Sequence, residues 1–103
     1  MIQLPYDDDA ERALLGALLI DPEALRRLNL DAQDVYIERN RTVYEALQTL
    51  SARHASVDYI TVSDALKTAG KLREIGGAAF LTELLDATPN SQHIDDYAAI
   101  IRD

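Results

Sequence analysis

Ala13-Leu14-Leu15-Gly16-Ala17-Leu18-Leu19-Ile20-Asp21-Pro22 is the stretch whose reading decides the fold class. Ala10, Ala13, Leu14, Ala17 and Leu18 recur at helical spacing. Leu15, Leu19 and Ile20 widen that stripe until the helix is apolar on most sides, as in a helix buried within a helical domain. Asp7-Asp8-Asp9 just ahead supplies an N-cap and first-turn acids that suit the positive end of the helix dipole. Gly16 costs about 1 kcal/mol relative to alanine. The expected compensation is the close approach of another helix. Asp21-Pro22 ends the helix and caps a second, short one with proline in its first turn, anchored by Leu25 and Leu28.

Reading outward, residues 29–34 are a polar connection. Val35-Tyr36 form an apolar plug ahead of a third helix over 38–53, striped by Val43, Tyr44, Leu47 and Leu50. Residues 57–62 are β-branched and aromatic but have no partner strand, so they read as an extended link. Thr61 and Asp64 have the spacing of a capping box for a fourth helix, with Gly70 as its C′ stop. Lys71 to Ile75 bridges to Gly76-Gly77, a backbone turn that side chains would obstruct. A fifth helix over 77–87 buries Phe80, Leu81, Leu84 and Leu85, and Thr88-Pro89-Asn90 breaks it. Ser91 caps a sixth helix carrying Ile94, Tyr97, Ala98 and Ile101, with Asp95-Asp96 in its first turn. The expected fold is all-α: a compact orthogonal multi-helix domain of about six helices, one domain over 1–103.

Composition narrows the function classes. With 103 residues, 48% of them hydrophobic, there is room for one core. The absence of cysteine excludes disulfide scaffolds, thiolate zinc sites and cysteine nucleophiles, and fits a cytoplasmic location. The longest apolar run, 13–20, is far short of the about 20 residues that span a bilayer, and the first residues do not read as a secretory signal. The net charge is −8 and uneven: residues 35–56 alone are not acidic, with two acids against three bases, Arg39, Arg41 and Arg53. Tight DNA binding relies on phosphate neutralisation, so this chain is a poor DNA binder by itself.

Chemical motifs are missing. Gly70-Lys71 lacks the earlier glycine and the following Ser or Thr of a P-loop. Gly76-Gly77 is no dinucleotide fingerprint. His54 and His93 lie far apart and lack a ligand pattern. Asp7-Asp8-Asp9 does not converge as an EF-hand loop does. The reading is a docking module without catalytic, cofactor or metal residues.

The phrases occur in a familiar order. Ala10-Glu11, Leu15 to Ala24, Asp34-Val35-Tyr36, Arg41, Val43-Tyr44, Ala46, Val57 to Val62, Gly70-Lys71-Leu72, Gly76-Gly77, Phe80-Leu81, Leu84, Pro89 and Tyr97-Ala98-Ile100 together resemble the N-terminal domain of bacterial replicative helicases of the DnaB type, over about residues 3–103. Departures are Asn40, where many members have histidine, Val35 in place of a frequent phenylalanine, and the aspartate triplet. The resemblance implies a noncatalytic all-α head of a hexameric DNA helicase. It implies self-association toward a dimer or hexamer, primase docking, and DNA contact only through the parent ring, with no membrane. ATP and Mg would belong to a separate RecA-like ATPase domain of the parent. A helical hairpin that follows the last matched helix in the family is expected to lie beyond Asp103. Candidate interface residues are Tyr97 and Ile101 on the last helix, and Arg39 and Arg41. The alternatives are a helix-turn-helix DNA binder, with 61–72 as helix and turn and Arg39, Arg41 and Arg53 on phosphates, and a stand-alone phage or plasmid modulator of the helicase.

Overall fold

The first helix begins where an aspartate can cap it. In the computed structural model, which describes residues 7–88 and 90–102, the Asp7 carboxylate accepts a hydrogen bond from the Ala10 N–H at 3.0 Å and opens α1 (Asp8–Ile20). Pro22 at the first position then starts a 3-10 turn, Pro22–Arg27. It is followed by a second such turn, Ala32–Asp34, then α2 (Glu38–Ala52), α3 (Tyr59–Thr68), a third 3-10 turn, Arg73–Ile75, α4 (Ala78–Ala87) and α5 (Ile94–Arg102). Every regular element among the described residues is helical, as expected. The six expected helices correspond to the five α-helices and the first 3-10 turn. The N-terminal stretch 1–6 and Pro89 lie outside the described residues.

α1 is the central rod. It packs most extensively against α4 and α5 and also meets α2 and the first 3-10 turn. Leu14, Leu15, Ala17 and Leu18 are fully buried, and so are Val43, Tyr44 and Leu47 of α2 and Leu81 and Leu84 of α4. Gly16 allows the approach on the α4 side. A Cβ there would collide with the Leu84 carbonyl oxygen and the Thr88 hydroxyl, so the glycine is compensated by helix contact.

Four local expectations fail, each for a physical reason. Residues 59–62 are helical, not extended. Asp58 accepts from the Thr61 N–H at 2.8 Å while Thr61 Oγ1 accepts from the Asp58 N–H at 2.9 Å. That reciprocal cap starts α3 at Tyr59, ahead of the expected Thr61–Asp64 box, and burial of Val62 outweighs its strand propensity. The connection 29–34 is not wholly polar, because Leu30 enters the core; Leu25 and Leu28 pack half-buried against that core as expected, with Ala24 fully buried beside them. Asp21 makes no side-chain cap to that turn. Ser91 stands three residues before α5, whose first regular bond joins the Tyr97 N–H to the His93 carbonyl.

Two of the expected turns match. Gly70 has φ +74, and the bonds Lys71 N–H to Leu66 O and Gly70 N–H to Lys67 O complete a Schellman end on α3. Gly76 and Gly77 have φ +99 and +76, conformations that disfavour side chains.

Candidate docking surface

The polar centre of the molecule is a joint between α1 and α2. α2 starts after Ile37, which has no side chain able to cap it. The missing acceptor comes from Glu11 on the buried face of α1. Its Oε2 accepts from the Tyr36 N–H at 2.6 Å, and its Oε1 from the Ile37 N–H at 3.2 Å and from Asn40 Nδ2 at 3.0 Å. Glu11 is 1% exposed, so these bonds replace its hydration. A carboxylate at a helix N-terminus also meets the positive end of the dipole. Asn40 Nδ2 donates to Asp8 Oδ1 as well, at 2.9 Å. Two carboxylate partners fix the amide orientation, because a flipped Asn40 would present its oxygen to both.

Arg41 completes the joint from the other direction. Its Nε donates to the Val35 carbonyl at 2.9 Å and its Nη2 to the Tyr36 carbonyl at 2.8 Å. The backbone of 35–37 is thus held by its amides from Glu11 and by its carbonyls from Arg41. Neither role was read in the sequence. The signal was there: Glu11 shares a face with Leu14, Leu15 and Leu18, and an acid on an apolar stripe needs donors.

The four candidate interface residues fall into two groups on different helices. Arg41 directs its guanidinium into its own domain. Arg39 is exposed, with its guanidinium carbon 4.4 Å from the centroid of the buried Phe80 ring. Tyr97 and Ile101 on α5 are half-buried and pack against the core, and the Tyr97 ring meets His93 edge-on at 6.2 Å. The neighbouring Ile100 is 50% exposed, and Arg102 Nη1 donates to the Asn29 carbonyl at 2.7 Å. An open groove of 510 Å³ between α2 and α3 has Glu45, Thr49, Arg53, Asp64 and Lys71 in its lining, a mixed set with no nucleophile and base in contact. No cluster of three or more potential metal ligands occurs among the described residues, and none of their helices is long and apolar enough to cross a membrane.

Burial and charge tune one further group. Tyr44 donates its hydroxyl to the Leu30 carbonyl at 2.6 Å, and desolvation, with Asp31 and Asp34 nearby, pushes its pKa from 10.0 up to about 12. It holds the chain before α2 against that helix.

The family model described as "DnaB-like helicase N terminal domain" matches residues 3–103. The chain belongs to that family. Within it, the chain is 35% identical to the replicative DNA helicase DnaB of Geobacillus stearothermophilus over 101 residues, covering 96% of this chain and 22% of that protein. It is 37% identical to the Synechocystis replicative DNA helicase DnaB over 101 residues, covering 96% of this chain and 12% of that one. The fold matches the crystal structure of the N-terminal domain of DnaB helicase from Mycobacterium tuberculosis with a TM-score of 0.88 and 35% identity, over 97% of this chain and 71% of that one. It also matches a DnaB-like replicative helicase, solved to describe its interactions with primase, with a TM-score of 0.81 and 25% identity, over 92% and 23%. This DnaB-like head therefore spans about a fifth or less of the curated helicases it matches.

Proposed function

We propose that this chain acts as the noncatalytic N-terminal head of a replicative hexameric DNA helicase, contributing to ring assembly and docking primase during DNA replication. The observation that carries the reading is the match of residues 3–103 to the DnaB-like N-terminal domain. The joint and the helix contacts of α1 support it, because they use the buried polar groups for holding helices in place. Glu11 is committed to the Tyr36 and Ile37 amides and to Asn40, Asn40 to Glu11 and Asp8, and Arg41 to the Val35 and Tyr36 carbonyls. ATP and Mg would be handled by a separate ATPase domain of the parent, in the cytoplasm, and DNA would be contacted through the ring.

The test is the intact mass of the native polypeptide in its source cell, by immunoblot with antibody against this domain. A product several hundred residues longer has room for the ATPase and supports the helicase head. A product of about 103 residues overturns it in favour of a stand-alone modulator.

A further inference from the structure

We propose that Arg12 and Arg39 form a carboxylate-binding surface that docks an acidic segment of a partner protein. Both guanidiniums sit beside one aromatic ring. Arg39 on α2 lies 4.4 Å, and Arg12 on α1 lies 5.7 Å, from the centroid of Phe80 on α4. The ring is 2% exposed while Arg39 is exposed, so the aromatic is covered and the charge faces solvent. Three helices thus bring two positive groups to one ring in a chain whose net charge is −8.

What distinguishes these arginines is what they lack. Among the described residues Arg39 makes no hydrogen bond and no ion pair, so its five N–H donors are open. Among the described residues the only charged partner of Arg12, whose side chain is 28% exposed, is Glu83, at 3.7 Å and itself 60% exposed, too far for a hydrogen bond. A pair at that distance with an exposed carboxylate contributes little. Arg41, two residues from Arg39, donates inward to backbone carbonyls. Stacking on Phe80 fixes the Arg39 fork before any ligand arrives, which lowers the ordering entropy that binding must overcome. A planar fork of this kind matches a carboxylate.

A protein segment fits better than nucleic acid. A phosphate backbone needs a run of cations along its path, whereas this surface offers two arginines, one of them facing Glu83. Adjacent Asp or Glu side chains on a partner match two guanidiniums spaced across one ring. The inference deepens the docking reading above. Its test uses neither primase nor the helicase ring, so the two can fail separately.

The probe is an acetylated, amidated peptide with two Asp-Glu pairs in a Ser-Gly sequence, titrated into the isotopically labelled chain while the arginine Nε–Hε resonances are followed. The expected result is saturable shifts at Arg12 and Arg39, with Arg39→Gln weakening binding about fivefold or more and Arg39→Lys by an intermediate factor. Lys67→Gln, which removes the same charge on α3, should change it less than about twofold. Equal weakening by Arg39→Gln and Lys67→Gln would reduce the effect to diffuse charge and overturn the proposal. So would shifts confined to other arginines, or no saturation. Tighter binding of an oligothymidylate to the same arginines would reassign the surface to phosphate. Thermal unfolding of each variant confirms that it is folded.

Discussion

Glu11 and Gly16 lie five residues apart on α1 and hold neighbouring helices by opposite means. At Glu11 a buried carboxylate gathers two backbone amides and one side-chain amide from the start of α2. At Gly16 nothing polar is exchanged. The helix has no side chain there, and the Leu84 carbonyl and Thr88 hydroxyl fill the space. The first contact is directional and fails when its acceptor is removed. The second is steric and fails when an atom is added. One helix can therefore fix α2 by register and α4 by distance.

The comparison makes quantitative expectations. The double variant Glu11→Ala/Gly16→Ala should lose the sum of the two single losses to within about 0.5 kcal/mol in urea unfolding, because the contacts share no partner. A larger discrepancy would mean that the joint and the close approach are one unit. Glu11→Ala alone should lose about 2–4 kcal/mol, since it strands buried N–H donors. Gly16→Ala should lose about 1–3 kcal/mol despite the better helix propensity of alanine. Adding Thr88→Ala should not restore it, because the Leu84 backbone still blocks the site.

Smaller effects test the flanks of the joint. The Tyr44 phenol is held neutral in the fold up to about 12 but ionises from 10.0 in the unfolded chain. Its contribution is therefore complete below pH 10 and is lost as pH rises toward 12. Tyr44→Phe should flatten the stability slope in that window, read as the difference between the two proteins' melting temperatures. The smallest expected effect is at His54, which ends α2 with φ +55, where a β-carbon is disfavoured. Its Nδ1 lies 2.8 Å from Arg26 Nη2, and since arginine only donates, the imidazole accepts. His54→Gly should gain about 0.5 kcal/mol net of that exposed bond, by thermal unfolding.

Much of the architecture was legible because apolar spacing is a local signal. The stripes of α1, α2 and α4 were read with most of their buried residues, although Ile20 at the end of α1 is 46% exposed and Leu85 is only half-buried, and Gly16, Gly70 and Gly76-Gly77 were read with their reasons. α3 was misread at its start because Ile60, Thr61 and Val62 favour strands locally, while the deciding bonds run between Asp58 and Thr61. The joint stayed hidden because two of the three donors to Glu11 are backbone amides 25 and 26 positions away, and backbone amides carry no mark in the sequence. Arg39 and Arg41 look alike as letters two apart. One stacks outward on Phe80 and the other grips its own chain. That choice depends on where α4 brings its ring.

The crossed hold on residues 35–37 also supplies a built-in clock. The amide hydrogens of Tyr36 and Ile37 point at a buried carboxylate carried by a different helix. They trade with deuterium when the contact with Glu11 opens, whereas most helical amides report the fraying of their own helix. Two adjacent probes therefore report the opening of the joint between the domain's first two long helices, without any substitution.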